Sequence, residues 1–164
     1  MRRLASAAAG LTCLIAITGL GSTHASAQEL QWLGAVSEDG ASLTYGIPES
    51  DAALIDFTCD RGSGTVTVTL DYEPANAETG MKAEINLAAV GGPAGSAIIV
   101  SATGERLELD DKFVLQGTTD LSDGLRSLLL EASALAVTVG DGAEELPLED
   151  ARDAAQKLVD ACKR

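Results

Sequence analysis

Apolar and polar residues alternate with a period of two along much of this chain, the pattern of half-buried β-strands. The clearest case runs over 65–72. Val66, Val68, Leu70 and Tyr72 point one way, and Thr65, Thr67, Thr69 and Asp71 the other. Just before it, Ile55, Phe57 and Cys59 alternate with Asp56, Thr58 and Asp60, which puts Cys59 on the inner face of a second strand. The glycine-rich turn at 60–64 joins the two as a hairpin. Further strands are predicted over 31–36, around Leu43 and Tyr45, and over 81–89, 97–102 and 135–139. Turns are expected at Glu38-Asp39-Gly40, Gly104 and Gly140-Asp141-Gly142, and Gly91 to Gly95 breaks the chain after the 81–89 strand. Segments 106–109 and 112–115 read as a second hairpin around Asp110-Asp111.

Two stretches change period. Leu121, Leu125, Leu128, Leu129 and Ala132 follow helical spacing, with Asp120 placed to cap and Asp123 in the first turn. Gly124 weakens that helix and leaves its leucine-rich part open to a strand reading. The last helix has firmer support. Ala151, Ala154, Ala155, Leu158 and Cys162 share one face, Asp150 is placed to cap, and Asp153 with Lys157 forms a favourable i,i+4 pair. Short strands at turn-rich spacing predict a mainly β fold: an antiparallel sandwich or open barrel with a short internal helix and a C-terminal helix.

The first 27 residues have another character. Arg2 and Arg3 precede an apolar stretch over 11–20, and Ala25-Ser26-Ala27 has the small residues of a cleavage site. A membrane-spanning helix needs about 20 apolar residues, so 1–27 reads as a signal peptide rather than a transmembrane anchor. Residues 28–164 then form a single domain that is periplasmic or secreted. Cys13 leaves with the signal, so Cys59 and Cys162 remain as one pair in an oxidising compartment. A disulfide between them ties the C-terminal helix to an early strand.

Composition narrows the chemistry. Residues 28–164 hold 25 acidic and nine basic side chains, a net charge of −16. That charge repels nucleic acid and anionic membranes and suits a basic protein or a divalent cation. The only histidine, His24, lies in the signal. Residues 28–164 therefore cannot assemble a Ser-His-Asp or Cys-His site, or a histidine zinc site. Gly62-Ser63-Gly64 lacks the spacing of a nucleophile elbow and reads as a turn. Gly91 to Gly95 has no following Lys-Ser/Thr, as a phosphate loop would. The adjacent acids Asp110-Asp111, Glu144-Glu145 and Glu149-Asp150 do not by themselves span a cleft, and Asp120-Ser122-Asp123 lacks the remainder of a calcium loop. No catalytic residue, cofactor or metal is assigned.

Trp32, the run Leu43-Thr44-Tyr45-Gly46-Ile47-Pro48 and a strand ending in Cys59 resemble uncharacterised exported bacterial β-rich proteins. The close of the chain is Leu146-Pro147-Leu148 and an alanine-rich helix ending in Ala161-Cys162. It is similar to invasion-associated locus B-type proteins and some secretion-system accessory proteins. The resemblance implies location and fold, and it assigns no functional residue. The expected function is a non-enzymatic envelope- or secretion-associated interaction domain. The alternative is an acidic inhibitor or binder of a basic extracytoplasmic enzyme such as a lysozyme.

Overall fold

The computed structural model describes residues 29–92 and 97–164. The segment read as a signal peptide, with Cys13 and His24, lies outside the described residues, as does most of the Gly91–Gly95 break. The described residues form nine strands and two helices: β1 (Gln31–Val36), β2 (Gly40–Gly46), β3 (Ala53–Asp60), β4 (Thr65–Asp71), β5 (Lys82–Val90), β6 (Ala97–Arg106), β7 (Phe113–Asp120), α1 (Asp123–Glu131), β8 (Ala134–Val139), β9 (Gly142–Pro147) and α2 (Arg152–Cys162).

The strands make one antiparallel sheet in the order β1-β2-β3-β4-β7-β6-β5-β8-β9. It curls into a half-barrel rather than splitting into two stacked sheets. The period of two explains its inner face. Val66, Val68 and Leu70 of β4 are buried between half-buried threonines. Leu43, Ile55, Phe57, Ile85, Leu87, Val100, Leu115 and Leu135 add fully buried side chains from the other strands. Each contributes about 1.5–3 kcal/mol relative to an exposed position.

One glycine read as a turn, Gly104, and one inside a predicted strand, Gly34, prove to be packing sites. Gly104 lies inside β6 rather than in a turn, because a Cβ there would strike the Phe113 ring and Met81. Strand β6 thus runs unbroken to Arg106, and the hairpin is β6–β7. Gly34 of β1 faces α2, where a Cβ would stand 2.6 Å from the Ala154 Cβ. Bare backbone at Gly34 lets the helix sit directly on the strand.

Helix α1 forms, resolving the helix-or-strand ambiguity. Its cap is Ser122, whose Oγ accepts from the Leu125 amide at 3.2 Å. Asp120 instead ends β7. Leu125, Leu128 and Leu129 are buried beneath it. Helix α2 likewise starts later than expected. Ala151 precedes it without a side-chain cap, so Asp150 does not cap. Among the described residues Asp153 and Lys157 form no ion pair; Asp160 and Lys163 do, at 2.8 Å. Ala155, Leu158 and Cys162 are buried, as the helical spacing predicted.

Strand direction decides what sits at each end. In an antiparallel sheet each strand reverses the one before it in the order. The connections 37–39, 61–64, the α1 crossover and α2 therefore share one end, and 47–52, 72–81, 107–112 and 140–141 share the other. The helices pack on β1, β2, β3 and β6, so the first end is closed and the second open.

Candidate functional site

The closed end is held by the two cysteines. Cys59 and Cys162 are disulfide-bonded, 103 positions apart, with Cα atoms 5.7 Å from each other. Cys162 is fully buried, while Cys59 is half-buried and packed against the core. The turn before β4 completes the clasp. The last carbonyls of a helix have no partner within the helix. Here the Gly62 amide donates to the Ala161 carbonyl and the Gly64 amide to the Cys162 carbonyl, each at 2.8 Å. The Arg164 Nε donates to the Ser63 carbonyl at 2.8 Å. Gly64 has φ +74°, and a Cβ there would meet the Arg164 side chain. Gly62-Ser63-Gly64 is thus a turn, and its chemistry is structural.

The open end concentrates charge. Its four connections carry eight acidic residues: Glu49, Asp51, Glu73, Glu78, Glu108, Asp110, Asp111 and Asp141. Lys112 is the only base within those connections. The connections and helices of the closed end also carry eight acids, but with six bases: Arg61, Arg126, Arg152, Lys157, Lys163 and Arg164. Counted over connections and helices, with the strands left out, the two ends carry −7 and −2; Arg106, at the end of β6, adds a base beside the open connections.

The β6–β7 connection carries the most acids of the four, with Glu108, Asp110 and Asp111. Leu109 at its tip is fully exposed and Leu107 partly so. The adjacent carboxylates part toward different cations: Asp111 pairs with Arg106 at 3.3 Å and Asp110 with Lys112 at 3.8 Å. Arg106 also pairs with Glu73 and lies 5.5 Å over the Phe113 ring. Lys112 reaches Asp71 at 3.8 Å and donates to the Asp51 carbonyl at 3.0 Å. These ties fix the base of the hairpin, so Leu109 is offered from a braced support.

Beside it lies a hollow of about 250 Å³ lined by Asp51, Asp56, Asp71, Asp110, Lys112 and Leu107. Burial pushes the Asp56 carboxyl above the usual carboxylate range, and a hydrogen bond from Thr44 pulls it partly back. A cation entering here would meet carboxylates that Lys112 alone does not neutralise. A larger notch of about 730 Å³ opens between Tyr72, Met81, Lys82, Glu84, Ser101 and Asp141. Its Lys82 Nζ donates to Thr103 Oγ1 at 2.6 Å. The arrangement suits recognition of amines and guanidinium groups with an apolar anchor alongside.

The other singled-out acids lie elsewhere. Glu144 and Glu145 are exposed on the edge strand β9. Glu149 and Asp150 flank a hollow of about 330 Å³ with Trp32 and Tyr45. Asp123 pairs with Arg126 at 3.1 Å. Among the described residues no helix is long and apolar enough to cross a membrane. The chain matches no protein-family model, no curated protein and no solved structure.

Proposed function

We propose that this protein is a non-enzymatic interaction domain of the periplasm or cell exterior, serving envelope maintenance or secretion. It engages a basic protein partner through its open end. The exposed Leu109 on the hairpin whose Leu107 and Asp110 line a carboxylate-rich hollow, among the more acidic connections, carries this reading. Opposite charge accelerates encounter, and an apolar anchor gives the complex lifetime. The disulfide and the signal-like N-terminus support export, and so does the resemblance to exported β-rich proteins. The test is a pull-down from cross-linked periplasm with wild type and Leu109→Ser. The proposal expects a discrete partner with wild type that is depleted with the variant. Recovery of free monomer alone from both would sink it.

The same face favours a second reading, inhibition of a basic extracytoplasmic enzyme such as a lysozyme. It expects salt-sensitive inhibition, strongest at low ionic strength. Unchanged activity across a panel of basic lysozymes at low salt would dismiss it.

A further inference from the structure

The two edges of the sheet are built differently. Strand β9 carries Glu144, Glu145 and Pro147, devices that discourage further strand pairing. Strand β1 reads Gln-Trp-Leu-Gly-Ala-Val and has no charge. Among the described residues β2 is its only strand neighbour. The Trp32 indole donates to the Pro147 carbonyl at 2.6 Å, so β9 crosses the early part of this edge. Beyond it, Gly34, Ala35 and Val36, the last three residues of the strand, are exposed, Val36 by 49%.

We infer that a second copy of this chain pairs on β1, antiparallel about a two-fold axis at Ala35, so that the outward amides and carbonyls of Gly34 and Val36 bond Val36 and Gly34 of the other copy. Three observations select that occupant. An uncharged strand meets its own copy with no like charges opposed. The antiparallel arrangement keeps the two open ends, each −7 over its connections, apart and sets each beside the other copy's closed end, where six bases lie. The guarded β9 edge stops the assembly from growing, so it closes as a dimer. The ladder is short, which places the dimer in the weak class.

The experiment is sedimentation equilibrium of the purified, oxidised protein, repeated with Ala35→Lys and, on the other edge, Glu145→Lys. Wild type and Glu145→Lys are expected to be dimers by about 100 µM. Ala35→Lys is expected to raise the dimer dissociation constant at least about tenfold, although the added lysine lowers the net repulsion. Hydrogen exchange on wild type supplies a check independent of mutant folding. The outward amides of Gly34 and Val36 are expected to be protected at high concentration and exposed on dilution, while the Ala35 amide, bonded within the β1–β2 ladder, stays protected at both. Wild type that stays monomeric at 100 µM overturns the inference. So does a dimer that Ala35→Lys leaves intact, or one without protection at the Gly34 and Val36 amides.

Discussion

Removing the disulfide by Cys59→Ala/Cys162→Ala tests the closed end most severely. The bond closes a loop of 103 positions. In the chain-entropy account that restricts the unfolded chain by about 4.7 kcal/mol, and measured effects for native bonds are about 2–5 kcal/mol. The folded state loses a second contribution. The clasp holds α2 where the Gly62 and Gly64 amides satisfy its last carbonyls, and a frayed helix end gives up both bonds. Against a typical net stability of about 5–15 kcal/mol, the loss is a large fraction. For a domain of this length it corresponds to a fall in Tm of about 10–20 °C. The assay is thermal unfolding by circular dichroism of wild type, oxidised and reduced, beside the double variant. Hydrogen exchange reads the amides of Gly62 and Gly64. Reduction and mutation are expected to agree, with those two amides losing protection first. A fall in Tm of less than about 3 °C, with both amides still protected, would refute the clasp.

Other positions give independent tests. Gly34→Val drives a side chain into Ala154 and is expected to destabilise by about 1–3 kcal/mol, read by urea unfolding; a gain in stability would contradict the close approach of β1 and α2. Trp32→Phe removes the indole donor to Pro147 and is expected to cost about 1 kcal/mol, and an unchanged denaturation midpoint would show that the hydrogen bond contributes nothing. Asp56 has its folded pKa raised by burial, so the folded state holds the proton more tightly than the unfolded state. Its contribution to stability therefore falls as pH rises from the unfolded pKa through the raised folded value, and stays low above it. Asp56→Asn is expected to melt above wild type at neutral pH, by less than about 1 kcal/mol for this partly solvated group. The gap should close in acid, and a variant less stable at neutral pH than in acid relative to wild type would reverse the sign.

The strands were legible because their cores repeat every second residue. Val66, Val68 and Leu70 needed no tertiary information to be placed inward. The same held for Ala155, Leu158 and Cys162 on the last helix, and so for the disulfide. Glycine was harder to read. Gly104 signals a turn by composition alone, and only the Phe113 ring packed on it shows why a strand passes through. Capping was misplaced by two residues at α1, because Asp120 and Ser122 are equally good caps and the β7 ladder claims the first. The acidic end was invisible as a run of sequence. Its four connections are separated by long strands, and the basic 61–64 turn, the uncharged 91–96 break and the α1 crossover, at −1, lie between them. One signal was present: in a chain of antiparallel strands, alternate connections fall at the same end. Sorting 47–52, 72–81, 107–112 and 140–141 from the rest shows the imbalance. The edge-to-edge contact of Trp32 with Pro147 had no such signal, since it depends on how far the sheet curls.

The central claim is that the open acidic end, with Leu109 at its tip, is the surface that meets a partner. Site-specific photo-cross-linking in intact cells addresses it directly. A photoreactive residue is placed at position 109, and separately at Gln156 on the exposed face of α2. The account expects one discrete protein adduct from position 109 and none from 156, with the adduct lost when Asp51 and Asp110 are changed to asparagine. Adducts of equal yield from both positions, or an adduct at 109 indifferent to those carboxylates, would contradict it.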